Sequence, residues 1–154
     1  MLRKWFSFFY WFLDDLSGLA CDTTKDSRYF KINGTCYFTD NQLRSYTASQ
    51  QYCKLMGGHL WEPRSNFSFK EIRGIELDIA GVTSRGTWIG ITDFFQQGNY
   101  KYASDNGALR FNMWDKGLPS SDYEKNCVAV QYSNLHDHQC SSKFHLICQQ
   151  IKGE

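Results

Sequence analysis

The chain has very little proline, no long apolar run and no block of like charge. Only Pro63 and Pro119 occur in 154 residues, and no internal repeat, linker or low-complexity tract interrupts the sequence. A single domain is expected, long enough to bury a proper core. The apolar run from Trp5 to Leu13 is too short to span a bilayer, which needs about 20 residues, so no transmembrane span is expected. Lys and Arg number 17 against 16 Asp and Glu, a formal charge of +1. Without a basic patch nothing points to nucleic acid. Tight Cys-x-x-Cys pairs are absent, which excludes zinc ribbons and thioredoxin-like redox sites. No phosphate-cradling glycine loop or Gly-x-Ser-x-Gly elbow is found, and no Ser/His/Asp set has motif context. An enzyme is not expected.

Among the residues present, six cysteines lead: Cys21, Cys36, Cys53, Cys127, Cys140 and Cys148. Their even number lets all of them pair, which leaves no thiol nucleophile and implies an oxidising compartment, hence a secreted protein or an ectodomain. Sequence alone leaves the pairing open. Aromatic residues make up 17% of the chain and recur at strand-like positions such as Tyr100 and Tyr102, which suits a core filled by large rings. At the N-terminus, Arg3 and Lys4 precede the apolar run, and Ser17-Gly18-Leu19-Ala20 supplies small residues before Cys21. Residues 1–20 therefore read as a secretory signal cleaved after Ala20, and 21–154 as the mature domain.

Local signals outline an α+β domain. Asn33-Gly34 reads as a hairpin turn. Ser45 or Thr47 caps a helix through about Met56, Thr47-x-x-Gln50 fits a capping box, and Tyr52 and Met56 face the core. Gly57-Gly58 ends that helix. Ser68-Phe69-Lys70-Glu71 reads as a second capping box, opening a helix with Ile72, Ile75 and Ile79 at helical spacing. The period changes toward strands from Trp88. Residues 92–124 read as a long irregular loop with two strand-like pieces at best, and Val128–Tyr132 and Phe144–Gln149 as short strands.

Several fragments, taken in order, carry a resemblance. They are Tyr29-Phe30-Lys31-Ile32-Asn33-Gly34-Thr35-Cys36-Tyr37-Phe38, Tyr52-Cys53-Lys54-Leu55-Met56-Gly57-Gly58-His59-Leu60 and Thr87-Trp88-Ile89-Gly90-Ile91-Thr92-Asp93. Phe111-Asn112-Met113-Trp114, Asn126-Cys127-Val128-Ala129-Val130, Cys140 and Phe144-His145-Leu146-Ile147-Cys148 follow. From residue 21 to 149 the chain resembles the C-type lectin-like domain family. The resemblance implies two helices with small antiparallel sheets, a long irregular loop region and the bridges Cys21–Cys36, Cys53–Cys148 and Cys127–Cys140.

It also implies where a calcium site would stand. In sugar-binding members the ion is held by a Glu-Pro-Asn type tripeptide, a Glu two residues before the cysteine of the fifth strand, and an Asn-Asp pair after Trp; sugar hydroxyls complete the shell. Calcium wants six to eight oxygen ligands, several of them carboxylates. Here the tripeptide position reads Leu118-Pro119-Ser120, the Glu position is Lys125, and the last set reads Leu135-His136-Asp137. Only Asp137 is a good ligand, although Asp122 and Glu124 lie near in sequence. Calcium is not expected as a cofactor.

His136-Asp137-His138 raises transition-metal binding. In an extended stretch the two imidazoles share one face, and two ligands make a weak site; no metal is expected. Asn33-Gly34-Thr35 and Asn66-Phe67-Ser68 match the N-glycosylation triplet, with a hairpin role competing at Asn33 and a capping role at Asn66. The expected function is a secreted, extracellular recognition module for a glycan or molecular pattern, working without the usual calcium site through the loop from Phe94 to Tyr123. Phe94, Phe95 and Tyr123 are placed to stack, and Lys116, Lys125, His136 and His138 to meet anionic groups, beside Leu118, Pro119, Ser120 and Asp137. The alternative is a partner-binding or structural extracellular-matrix protein on the same fold.

Overall fold

The computed structural model describes Cys21, Thr23, residues 28–71 and residues 85–151. The expected signal at 1–20 lies outside the described residues. Strand β1 (Tyr29–Ile32) turns into β2 (Thr35–Thr39) through Asn33 and Gly34, whose φ angles of 48° and 76° are both positive. Two positive values in succession define the type I′ turn, whose twist matches that of the paired strands.

Helix α1 runs over Tyr46–Leu55. Its cap is Ser45, whose side chain accepts a hydrogen bond from Ala48 N at 3.3 Å. Thr47 lies inside the helix, so the Thr47/Gln50 box is not the cap. Tyr46, Ser49 and Cys53 form the buried stripe, while Tyr52 and Met56 are partly buried against the same core. Gly57, at φ 77°, ends the helix in the left-handed region. A Cβ on Gly58 would stand 2.1 Å from the carbonyl oxygen of Gln149, so only glycine lets β3 (Gly58–Leu60) pair with β8 (His145–Gln150) here.

A second helix, α2, begins at residue 66, earlier than the Ser68 box predicts. Ser65 is the cap: its Oγ accepts from Ser68 N, and Ser68 Oγ accepts from Ser65 N, each at 3.1 Å. Serine fills the place usually held by Glu or Gln in this reciprocal pair, which hides the signal. Phe69 of α2 stacks on Trp61 with centroids 5.8 Å apart. Ile72, Ile75 and Ile79 lie outside the described residues.

Strand β4 (Thr87–Thr92) is buried along its whole length. It joins two groups of strands in the order β1-β2-β8-β4-β6-β7, where β6 is Cys127–Gln131 and β7 is Asn134–His138, with β3 on β8 and β5 (Lys101–Tyr102) on β4. The β4–β8 junction is parallel, and the other pairings between these strands are antiparallel. Neighbouring residues point to opposite faces. Ile89 and Ile91 thus enter a core with Trp61, Phe69 and Leu135, while Trp88 enters the other with Tyr46, Phe38 and Leu146. Gly90 lies where a Cβ would meet Glu62 Cγ at 2.6 Å.

Strand β6 (Cys127–Gln131) continues into β7 (Asn134–His138) through Tyr132 and Ser133, with φ of 48° and 70°. The sequence gives no sign of this hairpin, because neither residue is the Gly, Asn or Asp such a turn favours. The disulfides are Cys21–Cys36, Cys53–Cys148 and Cys127–Cys140, the pairing the resemblance implies. Cys53–Cys148 ties α1 to β8, and Cys127–Cys140 fastens the start of β6 to the segment after β7.

Candidate functional site

The region between β4 and β6 contains one short strand, β5, yet it is tied down at many points. Asp93 N donates to Asn126 O at 3.3 Å, Tyr100 Oη to Lys125 O at 3.3 Å, and Gln97 Nε2 to Asp122 O at 3.3 Å. These bonds fasten the turn after β4 to the segment that enters β6. Phe94 (55% exposed), Phe95 (84%) and Tyr123 (78%) stand on these two linked segments. Phe94 also meets Tyr46 edge-on at 6.1 Å. Burial, with Asp93 and then Asp137 close by, pushes the Tyr100 phenol well above its ordinary range, so it stays a neutral donor.

The positions expected to mark the ion site do come together, but not as a cage of oxygens. The Leu118–Pro119 peptide is cis, and Ser120, the next residue, meets Asp137 of β7 (Asn134–His138). Ser120 N lies 3.0 Å from each carboxylate oxygen of Asp137, and Ser120 Oγ donates to Oδ2. Asp137 is only 4% exposed, because alternation on β7 turns it inward with Leu135. Leu118 is half-buried and Pro119 is exposed. Lys125 brings its ammonium 3.8 Å from Asp122, and Glu124 accepts from Gln139 Nε2 at 2.8 Å. Each carboxylate near the loop therefore already has a partner within the protein. Among the described residues no group of three or more His, Cys, Asp or Glu is placed to hold a metal ion.

His136 and His138 share the other face of β7, their rings stacked at 14° with centroids 6.1 Å apart. His136 Nε2 is 3.1 Å from Asp115 Oδ2, a contact that becomes an ion pair when the imidazole is protonated. Asp115 in turn holds the loop, accepting from Lys116 N at 2.8 Å through its side chain and from Leu118 N at 3.0 Å through its carbonyl. His138 packs edge-on against Phe144 at 4.7 Å and Trp88 at 6.3 Å. Burial, followed by the neighbouring His136, lowers its pKa from the ordinary imidazole value; Lys125 acts in the same direction and Asp137 against it. Lys116 is exposed on the same loop.

Asn33, exposed at the β1–β2 turn, donates its side-chain amide to both carboxylate oxygens of Glu71 at 3.3 Å. Asn66 is exposed in the first turn of α2, and the capping role considered for it belongs to Ser65.

Sequence reasoning missed a polar network around Glu62. This buried carboxylate accepts from Ser104 N at 2.7 Å, from Ser104 Oγ at 2.6 Å and from Arg64. Arg64 also bonds Asp105 at 2.9 Å and lies over the Tyr102 ring at 3.8 Å. Nothing in the local sequence links residue 62 to residue 104; their meeting is a product of β4–β5 pairing.

Comparison with known proteins bears on the family and the fold. The model of the lectin C-type domain matches residues 42–150. A tetranectin-like protein of Carcharhinus perezii is 30% identical over 125 residues, which is 79% of this chain and 74% of that protein. The CD209 antigen of Homo sapiens is 26% identical over 119 residues, 76% of this chain but only 28% of that longer protein. The mouse scavenger receptor C-type lectin carbohydrate-recognition domain superposes with a TM-score of 0.73 at 20% identity, covering 82% of this chain and 96% of that one. By sequence, bridges and fold, the chain belongs to the C-type lectin domain family.

Proposed function

We propose that this protein is an extracellular recognition module that binds a glycan or molecular pattern without calcium, through the loop surface carrying Phe94, Phe95 and Tyr123. The observation that carries this reading is the exposure of those three rings on two segments fastened to each other. Aromatic faces stack on the apolar faces of sugar rings, and a surface already held in place loses little entropy on binding. Lys125 lies beside Asp122 and His136 faces Asp115, while Lys116 is exposed on the same loop, so the surface suits a ligand that is neutral or carries little negative charge.

Calcium independence is supported by the Ser120–Asp137 contacts and by the Lys125 ammonium, which stands where the resemblance places a carboxylate. An extracellular setting is supported by the three disulfides. No helix among the described residues is long and apolar enough to cross a membrane. N-linked glycans at Asn33 and Asn66 suit the exposure of both residues, and a mobility shift on enzymatic deglycosylation, lost stepwise in Asn33→Gln and Asn66→Gln, checks them.

A glycan array probed in millimolar calcium and again in chelator tests the reading. Equal binding in both, lost in Phe95→Ala/Tyr123→Ala, is the expected result; binding only with calcium overturns it. The same exposed rings favour a second reading, an extracellular protein partner, which an empty array under both conditions would select.

A further inference from the structure

The turn that carries Phe94 and Phe95 also carries two carboxamides, and each is held at one end only. Gln96 N donates to Asp93 O at 3.1 Å and Asn99 N to Gln96 O at 2.9 Å. Gly98, at φ 78°, donates its N–H to the buried carboxylate of Asp93 at 2.8 Å. These bonds fix the backbone from residue 93 to residue 99. The Gln96 side chain is oriented by Asn99, whose Nδ2 donates to Gln96 Oε1 at 3.2 Å. Gln97 is held by its other end: its Nε2 donates to Asp122 O at 3.3 Å, in the turn that carries Tyr123. Lys125 N donates to the same carbonyl at 3.1 Å, so that acceptor is itself fixed. What remains is Gln96 Nε2, a donor, and Gln97 Oε1, an acceptor, neither with a partner among the described residues. Gln96 is exposed and Gln97 half-buried. The pair follows Phe95 directly in the chain and is bonded to the turn bearing Tyr123.

We infer that Gln96 and Gln97 set the specificity of this surface by reading two adjacent hydroxyls of an uncharged hexose, whose apolar face rests on the exposed rings beside them. One hydroxyl accepts from Gln96 Nε2 and its neighbour donates to Gln97 Oε1; a hydrogen in place of either hydroxyl can do neither. Carboxamides already held at one end lose little rotamer freedom when the sugar arrives. The turn from Asp122 to Lys125 sets two exposed carboxylates, Asp122 and Glu124, against one ammonium, which disfavours a sulfate or carboxylate on the ring. This role for the two glutamines rests on the loop surface being the binding face, and it adds the class of ligand and the residues that select it.

The test presents the full chain, in chelator and over a range of concentrations, to an array of neutral hexose oligosaccharides with their sulfated and monodeoxy counterparts. Gln96→Met and Gln97→Met, which keep the side-chain length and remove the hydrogen bonds, are each expected to bind the neutral forms about fivefold more weakly, the effect of one hydrogen bond. Sulfated forms are expected to bind more weakly than the neutral ones. Removing the matching hydroxyl should weaken binding to the unaltered protein but cost the variant nothing further, since the contact is already gone. Unchanged melting temperatures of the variants separate lost contacts from unfolding. Glutamine variants that bind as tightly as the unaltered protein, while Phe95→Ala/Tyr123→Ala does not bind, overturn the role of the carboxamides and leave the loop face standing. Losses that add between variant and deoxy sugar, or tighter binding of the sulfated forms, also overturn it. An array with no bound glycan overturns the glycan reading of the loop and this inference together.

Discussion

Both oxygens of Asp137 are engaged by Ser120, so calcium has little to gain at that residue. A ligand that binds only the folded state, at a hundredfold excess over its Kd, adds about 2.7 kcal/mol of stability. Thermal melts in millimolar calcium and in chelator are expected to coincide. The combined change Leu118→Glu, Ser120→Asn, Lys125→Glu and His136→Asn is expected to create a calcium-dependent rise of several degrees. A chelator-reversible shift in the unaltered protein would instead show that Asp122 or Glu124 joins Asp137 at an ion. His138 gives a second prediction at this scale. Its folded pKa lies below the ordinary 6.5, chiefly through burial and then through His136. The unfolded chain therefore takes up a proton first as pH falls. The contribution of His138 is intact above about pH 6.5, declines as pH drops from there through the folded pKa, and is constant below it. Urea unfolding at pH 8 and pH 5 should show a smaller acid loss for His138→Phe than for the unaltered protein, since Phe keeps the contact with Phe144 and cannot titrate. The groups around it, His136, Asp115, Asp137 and Lys125, are unchanged in that comparison.

Strand β4 is the element on which the two halves of the sheet meet. Trp88 is fully buried, and its indole Nε1 donates to Arg44 O at 2.8 Å, linking β4 to the residue before the cap of α1. Trp88→Ala is expected to cost about 3–5 kcal/mol, measured by chemical denaturation. Gly90→Ala tests the same face of the strand two residues on. Its methyl would fall 2.8 Å from Leu60 O as well as against Glu62, and crowding of this kind costs about 1–3 kcal/mol. A melting temperature unchanged by either substitution would mean that β4 does not occupy the centre of the sheet. Much of this strand is legible in the sequence, since Trp88-Ile89-Gly90-Ile91 has too few polar residues to face water. Strand β7 is not, because Asn134, His136, Asp137 and His138 read as a polar loop until Leu135 and Asp137 are seen to point inward together.

Across the whole molecule the bridges differ in what they constrain. Cys53–Cys148 spans 95 residues and Cys127–Cys140 spans 13. If restriction of the unfolded chain dominates, the longer loop contributes more. The Cys53→Ala/Cys148→Ala pair is expected to lose more stability than Cys127→Ala/Cys140→Ala, with the larger loss about 3–5 kcal/mol, read from denaturant midpoints. Peptide mapping without reductant should recover the three pairs found here; a Cys36–Cys53 peptide would contradict both the bridges and the family.

The sequence by itself determined the fold family, the oxidised state and the central strand, and it sets Leu118, Ser120, Lys125 and His136 at the positions where the resemblance places calcium ligands. These depend on residue identity at fixed spacing, which survives any detail of packing. Tertiary structure alone decided which serine caps each helix, since Ser45 and Ser65 differ from their neighbours only in the backbone around them. It also decided that Asp137 faces Ser120 across 17 residues, and that Glu62 is buried beneath Ser104 and Arg64 across 42 and 2. A carboxylate at either position is equally at home in water or in a site. What separates the two outcomes is whether strand pairing brings donors to it, and pairing between distant segments leaves no local trace in the chain.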